Sequence, residues 1–463
     1  MNIILINPPQ ATQYSQPPLG LAMVATVLEK NGYLVKILDL PALRLFENSL
    51  PAIIRREKPD VVGITAMTPT ISSAVSVAKK VKESDSNITV VLGGAHATIL
   101  PEETLQSTPE IDIIVRGEGE QTTLELVKAL EKDPSNINHI LGITYRKGDS
   151  MKSNPPRAPI LDLDVLPFPA FHLLPIRRYR LHPPFGRRTP VMPIITSRGC
   201  PYRCIFCSKS VFGKKYRSNS SAYVVDEIRH LNEKFGVKEI KFYDDVFTLD
   251  KKRVIAISRQ LKEQEIDIPW TCETRVNLVD RELLGVMKDA GCYMIAYGVE
   301  SGNQGVLNSL KKDITLEQAI KAFKLTHEAG IETVAYFMIG SLGETPKTIM
   351  ETIKFAKKLD PDFVQFSIST PYPGTRLYCL AVKEGYVPEK WDEYVYADLK
   401  FVGNPPFKTK NLSSQELGKW NKKAYVSFYL RGGYVWKRLK KMVSLGEFKT
   451  NIAGLRMLID LIE

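Results

Sequence analysis

The sequence predicts an α/β protein in two successive parts, an open parallel sheet and then a partial barrel, closed by a mainly helical C-terminal segment. Three observations carry this. Short apolar, β-branched runs alternate with helical patterns over residues 1–147, the alternation stops in a proline- and arginine-rich stretch over 148–193, and it restarts at 194 and continues to 380. Alternation of this kind argues for parallel strands connected by helices.

In the first part the expected strands are Asn2–Asn7, Leu34–Leu40, Val61–Met67, Thr89–Gly93 and Ile111–Val115, with helices at Leu19–Asn31, Ile71–Ser84 and Glu120–Glu131. Ligands of such Rossmann-like sheets bind outside the carboxyl ends of the strands. The loops there contain Asn7-Pro-Pro, Thr65–Thr70, Gly93-Gly-Ala-His-Ala-Thr98 and Arg116-Gly-Glu-Gly-Glu120, and their glycines let backbone approach a ligand closely. No G-x-G-x-x-G follows the first strand, so an ordinary dinucleotide site is not indicated. Ten prolines between Pro155 and Pro193, with Arg177, Arg178, Arg180, Arg187 and Arg188 among them, read as an extended linker whose arginines line a substrate path or a solvated surface.

The second part has candidate strands Ile194–Ser197, Glu239–Tyr243, Trp270–Thr274, Met294–Val299, Thr333–Ile339 and Phe363–Ser367. Its helices are Ser220–Phe235, Lys251–Gln264, Arg281–Ala290, Leu316–Glu328 and Pro346–Leu359. Six β-α units fit an open (β/α)6 barrel with its chemistry at the carboxyl ends of the strands. Residues 381–463 complete the chain, and Trp391, Tyr394, Tyr396, Phe401 and Phe407 are expected to cap the barrel mouth.

Composition excludes several classes. The N-terminus reads as a strand and no run of eighteen apolar residues exists, so neither a signal peptide nor a membrane span is expected, and a cytoplasmic location is. Six cysteines in 463 residues, three of them clustered, suit a reducing compartment rather than a disulfide framework. The net charge of +12 is uneven: between Lys419 and Lys441 stand eight Lys or Arg and no acid, interleaved with Trp420, Tyr425, Phe428, Tyr429, Tyr434 and Trp436. Such a segment can rest on an anionic membrane surface, or pack its aromatics on the main domain and solvate its charges. The second reading is favoured, and nucleic acid is not an expected partner.

Cys200, Cys204 and Cys207 form a C-x3-C-x2-C triplet directly after the first barrel strand. Cysteine thiolates are the usual ligands of iron–sulfur clusters, and three of them leave one iron of a four-iron cluster open to another ligand. A zinc knuckle is the alternative, but no fourth Cys or His lies at zinc-finger spacing.

The triplet and the strand-end segments behind it resemble the radical S-adenosylmethionine (SAM) enzymes over almost the whole chain. These segments are Asp244-Asp-Val-Phe-Thr248, Arg275, Gly298-Val-Glu-Ser301, Gly340–Thr345 and Pro371–Thr375. Each is weak alone, and the match lies in their order. The resemblance implies a [4Fe-4S] cluster on the three cysteines and SAM cleaved to a 5′-deoxyadenosyl radical. It further implies Phe206 beside the adenine, Asp244 and Asp245 near the SAM ammonium, and Arg275 near its carboxylate. Glu300, Ser301 and Gly340 then contact the remainder of SAM. Reducing electrons would come from a donor such as a flavodoxin or ferredoxin.

Within that family the first part narrows the choice. Pro18-Leu19, Thr68, Gly93-Gly94, His96, Gly117 and Glu118 resemble the cobalamin-binding domain of the B12-dependent members. The D-x-H-x-x-G motif of other B12 enzymes is absent, because residues 9–20 hold no histidine, so His96 is expected to contact the nucleotide tail or to pack rather than to ligate cobalt. The implied activity is C-methylation of an unactivated carbon in a lipid or natural-product-like small molecule. Non-methylating radical chemistry (cyclisation, rearrangement or C–C coupling) and a non-catalytic sensor are the rivals. A methylthiotransferase is excluded: it needs three cysteines in its N-terminal domain, and the first 199 residues contain none. Cys272, Cys292 and Cys379 are expected to pack as small apolar residues.

Overall fold

The computed structural model describes residues 1–10, 14–148, 150–182, 184–388, 391–395 and 405–441. They fall into two compact units: residues 1–179 with 208–218 and 389–399, and residues 180–207 with 219–388 and the segment from 400.

The first unit is built on seven strands, β1 (Asn2–Asn7), β2 (Leu34–Asp39), β3 (Val61–Thr65), β4 (Thr89–Gly93), β5 (Ile113–Val115), β6 (Ile143–Lys147) and β7 (Ser150–Ser153), in the order β2-β1-β3-β4-β5-β6-β7. β1 to β5 are parallel. Ile3, Ile4, Leu5 and Ile6 are each at most 2% exposed, which is why β1 reads as an unbroken apolar run rather than an alternating one. The order reverses direction at β1, so the crevice outside the carboxyl ends of β1 and β3 is the ligand position of such a sheet.

β6 and β7, an antiparallel hairpin extending the sheet, were not expected. Their Ile-Thr-Tyr-Arg-Lys and Ser-Met-Lys-Ser are mostly polar and half exposed, so the apolar periodicity that marks a core strand is missing. The helix Leu50–Glu57 and the short helices Ala95–Ile99 and Pro101–Ser107 also escaped the pattern. Trp391 and Tyr394, expected over the barrel mouth, pack within this first unit instead. Trp391 donates its indole N–H to Glu103 at 2.9 Å and stands edge-on to His96, while Tyr394 is fully buried. Tyr396 and Phe401 lie outside the described residues.

The main sheet of the second unit has six strands, β8 (Val191–Ile194), β9 (Glu239–Phe242), β10 (Trp270–Thr274), β11 (Cys292–Glu300), β12 (Glu332–Ile339) and β13 (Phe363–Ile368), in sequence order and parallel throughout. This is the expected open barrel, with the first strand starting three residues early. Pro193 argues against a strand there, but among the described residues β8 pairs only with β9, and an edge strand tolerates proline's missing N–H. The helices start where Ser220, Asp250, Asp280, Thr315 and Thr345 cap them, each side chain accepting an N–H of the first turn.

The other edge, β13, is covered by the basic-aromatic segment. From the helix Ser414–Tyr429, the Tyr429 hydroxyl accepts from Val364 N (3.0 Å) and donates to Val364 O (2.7 Å). Tyr425 accepts from Phe366 N (3.1 Å), and Asn421 donates to Phe366 O (2.8 Å). Side chains thus satisfy a strand edge that a closed barrel would pair with another strand. No helix among the described residues is long and apolar enough to cross a membrane.

Candidate active site

Gly199, at φ +83°, turns the chain from Ser197–Arg198, just beyond β8, into the cysteine loop. The middle of the loop is tied to the barrel by Ile205, whose N–H donates to Leu310 O (3.0 Å) and whose carbonyl accepts from Leu377 N (2.8 Å), and its side chain packs with Val306, Leu310 and Leu377. Cys204 is buried, Cys200 half-buried and Cys207 exposed.

Around these thiols the strand ends place three charged side chains. Arg275, just past β10, lies over the Tyr202 ring at 3.6 Å, puts Nη1 3.6 Å from Cys204 Sγ and donates to the carbonyl of Lys312. Lys312 pairs with Glu300 at 2.7 Å, both nearly out of solvent, and its ammonium is 5.8 Å from the Phe206 ring centre. Glu300 sits at φ +69°, at a break in the β11–β12 register, a conformation a glutamate adopts only where its surroundings hold it. Gly298 makes the room: a Cβ there would come within 2.6 Å of Glu300 Oε1 and 2.7 Å of Lys312 Nζ. Protein crowding on one side of Cys207, then the charges of Cys204 and Glu300, push its thiol up to about 12. That thiol resists ionising until a cation shares its charge.

Beneath the loop lies a second network. Asp244 accepts from Thr196 N (3.0 Å), Thr196 Oγ1 (3.1 Å) and Ser197 Oγ (2.5 Å). Arg253 donates to Thr196 O (2.9 Å), Thr196 Oγ1 (2.6 Å) and Asn219 O (2.7 Å). Asp244 is 2% exposed, so its carboxylate is committed to the residues that lead into Cys200. Asp244→Asn is expected to cost about tenfold in metal affinity, read as iron lost to a chelator, with SAM affinity of the iron-loaded fraction unchanged.

Glu227 lies near this network, its pKa pushed up to about 8 by burial and then by the charge of Asp244. The folded chain therefore keeps a proton that the unfolded chain releases, so stability falls as pH rises from the ordinary glutamate range to about 8. Glu227→Gln should flatten that fall, seen as urea midpoints at about pH 5.5 and about pH 8.5 that lie closer together than in the parent.

The remaining expected SAM contacts are dispersed. Asp245 is exposed. Ser301 is buried, hydrogen-bonded to Thr352 Oγ1 at 3.1 Å. Gly340, at φ +84°, donates its N–H to Glu344 (2.8 Å), and a Cβ there would meet Leu417 at 2.4 Å, so helix packing fixes this glycine. Lys312, Tyr202 and Arg253 were missed by sequence reasoning.

In the first unit, Pro18 caps the helix that begins at Leu19. Gly94, at φ +98°, brings backbone so close that a Cβ would meet Ala66 O at 2.5 Å, whereas at Gly117 (φ +73°) and Gly20 the same space is open. Gly93 closes β4. His96 is 1% exposed, with Nδ1 3.2 Å from Thr68 Oγ1, and burial lowers its pKa to about 4, so the ring is neutral and engaged. Glu118 is engaged too, in a buried ion pair with Arg217 at 2.6 Å.

These features fit the implied cofactors. Among the described residues no three Cys, His, Asp or Glu side chains converge as ligands of one metal ion. Thiolates that each hold a different iron of one cluster stand further apart than that. At the first sheet's carboxyl edge, the open backbone at Gly117 and the engagement of His96 suit a large ligand bound without a histidine from this loop.

Comparison with known proteins agrees. Residues 11–127 match the B12 binding domain and residues 194–356 the radical SAM superfamily. The chain is 41% identical, over 93% of its length and 93% of the relative's, to an uncharacterized methyltransferase of Pyrococcus horikoshii. It is 34% identical, over 78% of its length and 66% of the relative's, to the anaerobic magnesium-protoporphyrin IX monomethyl ester cyclase of Rubrivivax gelatinosus. Among solved structures, the radical SAM methyltransferase TsrM of Kitasatospora setae with tryptophan and a SAM analogue shares its fold, with TM-score 0.72, 20% identity and 98% and 96% of the two chains covered. So does the cobalamin-dependent radical enzyme OxsB with aqua-cobalamin and SAM, with TM-score 0.76, 17% identity and coverage of 100% and 72%.

Proposed function

This chain belongs to the radical SAM enzymes with an N-terminal B12-binding domain, and from that membership we propose that it transfers a methyl group to an unactivated carbon of a small organic molecule. The cofactors that go with its two domains are a [4Fe-4S] cluster, SAM and cobalamin. When bound, they supply an organic radical strong enough to remove hydrogen from carbon, and a methyl carrier.

The observation that supports this reading best is the shell of paired charges beside the thiols. Cys200, Cys204 and Cys207 would hold the cluster. Arg275 would hold Cys204 from one side, by a hydrogen bond to its sulfur and a stack on Tyr202. Lys312 and Glu300 pair with each other rather than face solvent, so the shell is preorganised and brings no unpaired charge to the reacting centre. Phe206 presents its ring at the same strand ends, where an adenine could stack. Asp244, expected at the SAM ammonium, serves better as a brace for the loop.

Anaerobic reconstitution with iron, sulfide and hydroxocobalamin, followed by reductant and methyl-deuterated SAM, tests the reading. Deoxyadenosine, S-adenosylhomocysteine and a deuterium-labelled product together support methylation. Deoxyadenosine with an unlabelled product would favour the second reading, radical cyclisation or rearrangement, which the match to the cyclase of R. gelatinosus keeps open. A small flavodoxin or ferredoxin would deliver the electron. Of the basic C-terminal segment, Tyr425, Phe428 and Tyr434 are buried while Leu430, Val435 and Trp436 stay exposed, so among the described residues those three are apolar side chains that could join its Lys and Arg in contact with an anionic membrane.

A further inference from the structure

The concave face of the barrel carries a polar group that the cofactor chemistry does not use. Lys241 on β9 pairs with Glu273 on β10 at 2.9 Å, and Tyr336 on β12 donates its hydroxyl to the same oxygen, Oε1, at 3.1 Å. β10 and β12 are not neighbours: β11 runs between them, and Ala296, the partner of Glu273, is small enough for Tyr336 to reach across. The side chains therefore meet inside the curl of the sheet. Below them an apolar floor of Phe185, Met294, Ala296 and Val334 closes the barrel. The Lys241 ammonium also lies 3.6 Å from the Phe185 ring centre and 4.4 Å from that of Tyr243, and its side chain is 4% exposed.

Glu273 differs from its partners. Its side chain keeps 32% exposure although it holds a buried lysine, and among the described residues both of its side-chain polar contacts fall on one oxygen. The other cations near the strand ends are already matched, Lys312 by Glu300 and Arg275 by the Lys312 carbonyl and Cys204. Among the described residues Glu273 is thus an accessible hydrogen-bond acceptor above an apolar floor. We infer that Glu273 Oε2 anchors the substrate through a hydroxyl or an ammonium, so that the substrate carries a polar, hydrogen-donating end rather than a plain hydrocarbon one.

This inference rests on the concave face being the substrate chamber, but its test needs no turnover. Saturation-transfer NMR on the iron-reconstituted full chain would use ethanolamine, ethylene glycol and acetate as probes. Ethanolamine should bind the parent and an exposed-surface control, Glu282→Gln, and bind Glu273→Gln about tenfold more weakly or worse, the loss of one charge-assisted hydrogen bond. Equal binding of ethylene glycol would identify a hydroxyl, and binding of ethanolamine alone an ammonium. Acetate bound in preference, or ethanolamine bound equally by Glu273→Gln, overturns the inference. Tyr336→Phe removes a competing donor and leaves the carboxylate, so it carries the test if Glu273→Gln does not fold: equal or tighter ethanolamine binding supports the inference, and weaker binding overturns it. A failure to methylate would leave these outcomes unchanged.

Discussion

Cys204→Ala should abolish deoxyadenosine formation from SAM, to the level of a protein-free control, while the chain stays folded. On the proposed reading each thiolate of the triplet would hold a different iron, so two thiols on the loop could not replace three. Folding should survive because the change deletes one small sulfur from a 9%-exposed site, a loss of about 1 kcal/mol or less. Arg275 keeps its bonds to the Lys312 carbonyl and, at 3.3 Å, to Asn277 Oδ1, so the strand end is not left with an unsatisfied guanidinium. Iron per chain and deoxyadenosine by chromatography are the two readouts, with Cys379→Ala, an exposed cysteine beyond β13, as the unaffected control. Continued deoxyadenosine formation in Cys204→Ala would remove the cluster from this loop.

The triplet could be read because three thiols on one loop are also close in sequence; that they hold the cluster is our proposal. The strand rhythm was legible because parallel strands buried on both faces leave apolar runs that polar turns separate. What the sequence concealed is direction. Asp244 and Asp245 look alike as a strand-end pair, yet alternation along β9 sends Lys241 and Tyr243 to the concave side and Asp244 to the helix side, against Arg253 and Glu227. Lys312 was hidden for another reason. In Lys311-Lys312-Asp313 it reads as a solvated charge run, but Lys311 at φ +51° and Asp313 at φ +52° turn the backbone so that the middle lysine points inward to Glu300. Glu118 is one of the residues that the resemblance places at cobalamin, and the structure gives it an ion-pair partner as well. Its partner Arg217 is 99 residues away, and no local pattern announces a pair formed at that separation.

That pair carries the second large expectation: Arg217→Met should destabilise the first unit by about 3–5 kcal/mol, the cost of leaving a buried charge without its counterion. Arg217 and Glu118 side chains are 3% and 5% exposed, and the guanidinium also donates to Ile160 O at 2.6 Å and Phe212 O at 2.9 Å. Glu118 in turn accepts from Ile160 N at 3.2 Å, so one buried node ties together the end of β5, the proline-rich stretch and residues 208–218. The measurement is the urea midpoint of the first unit, followed by circular dichroism. The discriminating variant is the pair Glu118→Gln with Arg217→Met. If the loss arises from a stranded carboxylate, neutralising that carboxylate should return a large part of it, although the hydrogen bonds of Arg217 stay absent. If it arises instead from those hydrogen bonds to Ile160 and Phe212, the double variant will be no more stable than the single one. Ser208 follows Cys207 directly in the chain and already belongs to the first unit, so the single variant should also lose iron more readily to a chelator. A variant that unfolds earlier yet holds iron as the parent does would show that the cysteine loop is braced from the barrel side alone, by Ile205, Asp244 and Arg253.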